Sequence, residues 1–322
     1  MYKILITGGL GFIGSHIVDY FVNTGHDVTI IDNTSSNVLS EKHFDSLADV
    51  FTGDIADQSM LDAVFSDRKY DYIFHFAANA SVPKSVEDED LNFRSNVIGT
   101  YNVLRKAVKY RSSIIFASTA AIYGEYNGKK VNEEDSARPI SPYGLSKLID
   151  EDLCFHYGRI YGIKVISFRF FNVYGPRQRR YVMSDFIKKL VTAHTTNSAT
   201  FLKDIPMLGT GDEIRDFINI RDVVSAILLP LKNDSMWGEA YNVGTGTGTR
   251  IKDLLCLMSH ELNQNYNISF SGKSWQGDVS GLYANINKIR RFGFDPVIDL
   301  RVGIREFIEA ERINGLLSSR IS

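Results

Sequence analysis

The sequence predicts an α/β protein built on a doubly wound parallel sheet, with a smaller α/β lobe toward the C-terminus. Three observations lead there. Short β-branched runs alternate with amphipathic helical stretches through the first half, a glycine-rich turn follows the first run, and the alternation loosens after Phe171. Such alternation specifies βαβ units, because parallel strands need a crossover helix between them. The first run, residues 3–7, reads Lys-Ile-Leu-Ile-Thr and gives way to helical periodicity up to about Thr24. Further strands are predicted at residues 27–31, at 48–52 after a polar loop, at 72–76, at 113–117 and at 164–168. Helices are predicted at about residues 90–110 and 142–161, the second opened by Pro142, a residue suited to a first helical turn. Beyond Phe171 come a turn rich in Gly, Pro and Arg, a helix near residues 184–196, and short elements joined by polar stretches. The expected division is residues 1–171 against 172–322, with apolar runs at 217–220 and 223–231 returning to the first sheet so that about 216–245 rejoins it. No internal repeat is evident, and residues 317–322 read as a frayed end.

Composition narrows the function. With 322 residues, 44% of them hydrophobic and 23% charged, the chain is long enough for one large core and a second lobe. A formal net charge of −2 provides no basic field for nucleic acid or an anionic membrane, so neither is an expected partner and any phosphate site is local. No apolar run is long enough to cross a bilayer. The first strand begins almost at Met1, which leaves no room for a targeting peptide, and the expected location is cytoplasmic. Cys154 and Cys256 lie in apolar stretches without the spacing of a metal site, and both read as core thiols in a reducing compartment. No metal is expected.

The glycine turn carries the first chemistry. Gly8, Gly11 and Gly14 stand in Thr7-Gly-Gly-Leu-Gly-Phe-Ile-Gly14, directly after the first strand and opening the first helix. Glycines there permit a tight turn and close approach of backbone to a diphosphate, whose charge is stabilised by helix N-terminal N–H groups. This is the dinucleotide fingerprint of a Rossmann sheet. Asp32 closes the second strand about 20 residues on, where a carboxylate accepts from the adenosine ribose hydroxyls and repels a 2′-phosphate, so NAD is favoured over NADP. Asp54, after the third strand, is placed to meet the adenine; as a bare turn residue it needs no such role.

Tyr143 and Lys147 stand four residues apart at the start of a predicted helix, and hence on one face. An ammonium beside a phenol favours the phenolate. Lowering a tyrosine from about 10 toward 7 takes roughly 4 kcal/mol, within reach of two cations in a cleft, the ammonium and the positive nicotinamide ring, and Tyr143 then serves as a general base. The chain carries a decoy of the same spacing, Tyr126 and Lys130, across a turn sequence that does not align the pair. Thr119 follows the fifth strand at the carboxyl edge, where such sheets bind ligands, and its hydroxyl is expected to bridge substrate and Tyr143. Thr119 and Ser118 can equally satisfy nearby backbone.

Taken together, the glycine turn, Asp32, His-Phe-Ala-Ala-Asn at 75–79, Asn96-Val-Ile-Gly-Thr, Ser-Thr-Ala-Ala-Ile-Tyr-Gly from Ser118, and Tyr143/Lys147 resemble the extended short-chain dehydrogenase/reductase family. Within it the chain is most similar to UDP-glucose 4-epimerase and related NAD-dependent nucleotide-sugar epimerases. The similarity continues through Arg169-Phe-Phe-Asn-Val-Tyr-Gly-Pro, Arg215-Asp-Phe and Tyr241-Asn-Val-Gly to Gly277-Asp278, nearly the whole chain. The resemblance implies reversible oxidation of C4 of a nucleotide-linked sugar with resident NAD, through a transient 4-keto sugar. It implies that Gly8, Gly11, Phe12, Ile13, Asp32, Asn33, Asp54, Ile55, Phe76, Ala77, Ala78, Asn96, Tyr143 and Lys147 line the cofactor site. It further implies that Ser81, Thr119, Tyr143, Asn172, Arg215 and Asp278 meet the substrate, with Thr119, Tyr143 and Lys147 catalytic. The second lobe would bind the nucleotide sugar, and a homodimer is expected by analogy.

Departures from the family pattern shape the rest. Family dehydratases carry Asp-Glu after the threonine, and sugar-acid decarboxylases a Glu at the second of those positions; here Ala120 and Ala121 stand there. A 4-epimerase is the leading reading. The alternatives are a 4,6-dehydratase or 4-keto reductase, and a silent NAD-sensing protein. Relatives place an Arg two residues before Gly277-Asp278, where this chain has Trp275, so Arg215, Arg177 or Arg179 is left to meet the diphosphate. UDP is expected from family frequency, with CDP, GDP and dTDP open. Arg215 can instead pair with Asp216, Lys84 reads as solvated, and Leu282 aligns with a position that gates N-acetyl sugars or is a plain core residue.

Overall fold

The computed structural model describes residues 1–313 other than 37, 41, 42, 45, 196–203, 264, 265, 275 and 276. Its first half runs β1 (Lys3–Thr7), α1 (Phe12–Asn23), β2 (Asp27–Asp32), β3 (Asp49–Thr52), α2 (Gln58–Val64), β4 (Tyr72–His75), α3 (Val82–Glu87), α4 (Glu89–Phe93), α5 (Gly99–Tyr110), β5 (Ser113–Thr119), β6 (Lys129–Val131), α6 (Pro142–Tyr161) and β7 (Val165–Phe170). The second half adds β8 (Asn172–Tyr174), α7 (Tyr181–Thr195), β9 (Asp204–Met207), β10 (Ile214–Arg215), β11 (Phe217–Asn219), α8 (Ile220–Ile227), β12 (Ala240–Val243), β13 (Thr249–Arg250), α9 (Ile251–Glu261), β14 (Asn267–Phe270), β15 (Gly281–Ala284), α10 (Asn287–Arg290) and α11 (Leu300–Ile313).

Seven parallel strands form the main sheet in the order β12-β7-β5-β4-β1-β2-β3. Strands covered on both faces must be apolar on both, which is why these runs do not alternate with polar residues. Ile4, Ile6, Phe74, Ile115 and Phe168 pack on one face, and Leu5, Ile31, Ile73, Ile114 and Phe116 on the other. The strand order reverses between β1 and β4, so the carboxyl ends of those two strands open a crevice where ligands bind in such sheets. A separate core around Tyr174, Phe186, Phe217, Leu254 and Phe307 fills the second lobe. Small sheets of order β13-β10-β15-β6, β11-β8 and β14-β9 complete it.

Several sequence expectations shift. Residues 217–220 do not return to the main sheet: β11 pairs with β8, and the run from Ile220 is helix α8, capped by Asn219, whose side chain accepts from the Arg221 N–H at 2.9 Å. Its buried Ile220, Val223, Ala226 and Ile227 follow helical spacing, which overrides the β-branched composition. The strand that does join the main sheet is β12, hydrogen-bonded to β7. The expected single helix over 90–110 contains a π-helical turn, Arg94–Ile98, between α4 and α5. Cys154 is buried, but Cys256 is exposed: Leu254, Leu255 and Met258 of α9 face inward and Cys256 falls on the opposite side. The expected frayed end at 317–322 lies outside the described residues.

Candidate active site

The glycine turn crosses between sheet and helix with no room for side chains. Gly8 has φ +73°, and a Cβ on it would sit 2.7 Å from the Ala77 nitrogen; one on Gly14 would sit 2.1 Å from the Gly8 oxygen. Helix α1 therefore starts immediately behind β1. Gly11 is its N-cap and provides no side-chain acceptor, leaving first-turn N–H groups at Phe12 and Ile13 aimed at the crevice. The cradle suits a diphosphate. Asp32 is nearly buried and accepts from the Leu10 N–H at 3.0 Å and the Thr34 N–H at 2.7 Å. Burial pushes its pKa up, opposed by those N–H groups and by that of Gly11, so the carboxylate braces the turn from the position where a ribose would lie.

The surrounding cofactor candidates are distributed as the strand order dictates. Asn33 is exposed beyond β2, its oxygen accepting from the Ser35 N–H at 3.1 Å. Asp54 caps its own turn through the Ala56 N–H at 2.8 Å, and Ile55 beside it is buried. Phe76 and Ala77 leave β4 with their N–H groups donating to the Thr7 hydroxyl at 3.2 and 3.1 Å, and Ala78 follows them half-buried. Asn96, fully buried at the π-helical turn, accepts from the Asn79 N–H at 2.7 Å and donates to the Ser146 hydroxyl at 2.8 Å. The wider turn thus brings its carboxamide between the loop after β4 and helix α6, a placement that a regular helix would rotate away.

At the end of β5 the reactive hydroxyls converge. The Thr119 hydroxyl accepts from the Ala121 N–H at 3.2 Å and neighbours the Tyr143 phenol, whose pKa it draws down. Helix α6 is started by Ser141, whose side chain accepts from the Gly144 N–H at 3.1 Å, followed by Pro142. Gly144 permits the approach: a Cβ there would lie 2.6 Å from the Ala121 oxygen. Ser85 accepts from the Tyr143 N–H at 3.1 Å and fixes the other side. Ser118 is buried with an unpartnered hydroxyl oxygen. The decoy separates as expected, Tyr126 reaching the Ser136 carbonyl and Lys130 lying over the Tyr283 ring.

Lys147, expected to act beside the Tyr143 phenol, has two close partners of its own. The Lys147 ammonium sits 3.9 Å from the centre of the Phe116 ring and 3.5 Å from Asp150, both partners buried. Tyr143 is pushed well above the ordinary phenol range, first by burial and then by the neighbouring Tyr181 phenol, with only the Thr119 hydroxyl opposing. Shared helical face fixes where the Lys147 stem starts, but its four-carbon reach lets a carboxylate one turn on attract the charge. In this state the phenol is a neutral acid.

Toward the substrate side, Ser81 caps α3, accepting from the Lys84 N–H at 3.4 Å, and Lys84 is exposed. Asn172 is half-buried at the start of β8. Arg215 does not pair with Asp216; it binds Asp278 at 2.6 Å and the Val279 carbonyl at 2.8 Å, linking β10 to the segment before β15. Arg177 pairs with Asp19 of α1 at 2.6 Å. Leu282 is a core residue, and Trp275 lies outside the described residues. Two neighbours of the reactive pair had no motif to announce them. Asp150 was visible only as an acid three residues after Lys147. Tyr181 has φ +73° and donates to the Ala80 carbonyl at 2.8 Å, closing the loop after β4 beside Tyr143.

A Rossmann sheet with this glycine turn, a threonine at the end of its fifth strand and a Tyr-Lys helix defines an NAD-using enzyme of the extended short-chain dehydrogenase/reductase class. The profile of the NAD dependent epimerase/dehydratase family matches residues 4–244, and the chain belongs to that family. It is 31% identical over 318 residues to the UDP-glucose 4-epimerase of Rhizobium meliloti, covering 92% of this chain and 93% of that one. Among solved structures it is similar to the Thermotoga maritima UDP-glucose 4-epimerase with UDP-glucose, at TM-score 0.89 and 32% identity over 97% of this chain and 99% of that one. The Thermus thermophilus UDP-glucose 4-epimerase in complex with NAD matches at TM-score 0.85 and 31% identity over 96% and 99%. Among the described residues no helix is long and apolar enough to cross a membrane.

Proposed function

We propose that the chain is an NAD-dependent 4-epimerase of a UDP-linked sugar. The observation that carries this reading is the Thr119 hydroxyl at the end of β5 beside the Tyr143 phenol, with Ala120 and Ala121 at the two positions that follow the threonine. Tyr143 takes the proton from the C4 hydroxyl and returns it, Thr119 hydrogen-bonds O4, and Lys147 provides the positive charge that brings the phenolate within reach. Alanines at 120 and 121 have no group to move a second proton, so neither can serve as acid or base for water elimination at C5 and C6. When bound, NAD supplies reversible two-electron oxidation of the sugar carbon. Gly8, Gly11, Phe12 and Ile13 would hold its diphosphate, Asp32 and Asn33 its adenosine ribose, Asp54 and Ile55 the adenine, and Phe76, Ala77, Ala78 and Asn96 the wall behind it.

In this reading residues 1–171, rejoined by about 216–245 through the packing of α8 and the pairing of β12, bind the cofactor, and the rest of 172–322 binds the nucleotide sugar, with Asn172, Arg215, Asp278 and Ser81 meeting the substrate. A cytoplasmic homodimer fits two further features: both thiols are free, and an apolar strip lies exposed along α4, α5 and α6 at Leu91, Phe93, Tyr101, Leu145, Ile160 and Tyr161. A second copy of the same strip covers it with two-fold symmetry. The test mixes purified protein, without added cofactor, with UDP-, dTDP-, GDP- and CDP-sugars and follows products by NMR. Interconversion of one C4 pair is expected; a 4-keto-6-deoxy product, or turnover only with added reduced cofactor, rejects it.

A further inference from the structure

Lys147 has a neighbour that the reaction as written does not use. Asp150 has no exposed surface, lies one helical turn along α6, and places its carboxylate 3.5 Å from the Lys147 ammonium. Neither of its oxygens makes a hydrogen bond of normal geometry. A buried carboxylate left in that condition needs a reason, because desolvation is costly when unmatched.

The surroundings supply one. The Thr7 hydroxyl accepts from the Phe76 and Ala77 N–H groups, so its own proton is directed to His75 Nδ1 at 2.7 Å. His75 is completely buried, and burial pulls its pKa down to about 3, so the ring is neutral and carries its proton on Nε2. That nitrogen donates to the Thr100 hydroxyl at 2.9 Å, and Thr100 stands beside the Asp150 carboxyl with its proton free to face it. Every donor in this chain points toward Asp150, which favours the anion. The other charged or titratable neighbours do not compete: Glu151 is occupied by Arg169 at 2.6 Å, and the Cys154 thiol is pushed up by burial and stays neutral.

We propose that Asp150 is a positioning residue for Lys147: its buried carboxylate is the fixed counter-ion that keeps the lysine charged and seated, while Thr100, His75 and Thr7 anchor that carboxylate to the turn carrying the cofactor cradle. Burial pulls the Lys147 pKa down and Asp150 is the largest opposing influence, in agreement with the geometry. Catalytic use of the charge rests on the epimerase reading above; the ion pair itself does not.

The experiment compares the intact enzyme with Asp150→Asn and Asp150→Glu by two readouts. The first is the pKa of Lys147, followed by NMR of ¹³C-labelled lysine and assigned with Lys147→Met. The second is the pH profile of kcat. Asp150→Asn is expected to lower the Lys147 pKa by about one unit or more and to move the alkaline limb of kcat down by the same amount, with Asp150→Glu restoring both toward wild type. A merely structural role lowers kcat and thermal stability alike at every pH and leaves the lysine titration where it was; that result overturns the proposal. Should Asp150→Asn not fold, Thr100→Val is expected to move the Lys147 pKa in the same direction by less, and an unmoved pKa overturns the proposal equally. A wild type inactive on every sugar sinks the epimerase reading, while the lysine titration still decides the ion pair.

Discussion

Two carboxylates with no exposed surface, Asp216 and Asp150, sit in opposite environments. Asp216, between β10 and β11, accepts from the Thr245 N–H and hydroxyl, both at 2.7 Å, from the Gly246 N–H at 2.9 Å and from the Ala284 N–H at 3.0 Å. Its charge is saturated, and in being so it joins β10, the loop after β12, and β15. Asp150 has a lysine at 3.5 Å and no hydrogen bond of normal geometry on either oxygen. Burial raises the pKa of both acids, that of Asp150 to about 6. The contrast teaches how to sort buried charge: a carboxylate ringed by backbone donors holds architecture, and one matched by a single buried ammonium holds that cation in place for chemistry.

The largest break in that contrast is at the reactive edge. Tyr143→Phe is expected to cut turnover on the order of a thousandfold or more while leaving the melting temperature near wild type, as read by steady-state kinetics and calorimetry. Gly144→Ala sharpens the geometric side, because its Cβ would meet the Ala121 oxygen at 2.6 Å. Pushing Tyr143 away from Thr119 is expected to lower kcat on the order of a hundredfold with KM little changed. Asp216→Ala reverses the pattern: it strands the Thr245, Gly246 and Ala284 N–H groups and is expected to cost about 3 kcal/mol in denaturant unfolding, with kcat of the folded fraction near wild type. If Asp216→Ala instead abolished turnover without loss of stability, the division between architectural and chemical carboxylates would fail.

The smallest effect concerns a third carboxylate. Glu261 is gripped by Arg305 and by Arg301 at 2.5 Å, and these arginines, Arg305 first, hold its pKa down at about 2. A folded-state pKa below the unfolded value of about 4.3 gives stability that is present above that value and is lost as pH falls toward 2. Wild type is therefore expected to melt slightly above Glu261→Gln at pH 6, with the gap closing by pH 2 to 3. A gap independent of pH would mean that packing, rather than charge, holds α9 to α11.

What the sequence disclosed was local. The glycine turn, Asp32 and the Tyr143/Lys147 spacing are each set within one strand-turn-helix unit, and the structure places them around the crevice between β1 and β4. What it hid was set by distance or by backbone. Arg215 finds its carboxylate 63 residues away at Asp278 rather than next door. Cys256 looked buried because its neighbours are apolar, but facing is decided by helical phase. The run at 217–220 reads as a return to the main sheet, yet its first three residues pair with β8 and Asn219 caps a helix that starts at Ile220. Tyr181 reaches the Ala80 carbonyl from a left-handed backbone that composition does not announce. Asp150 lies one helical turn from Lys147, but no motif singles it out and its burial beside the ammonium is set by the fold.

The central claim is reversible oxidation at a single sugar carbon. Its most direct test runs the enzyme in deuterated water on the UDP-sugar it interconverts and follows C4 by NMR. The account predicts that the original C4 hydrogen is retained in both epimers with no solvent deuterium on the ring. Deuterium entering C5, with a 4-keto-6-deoxy sugar accumulating, would contradict it.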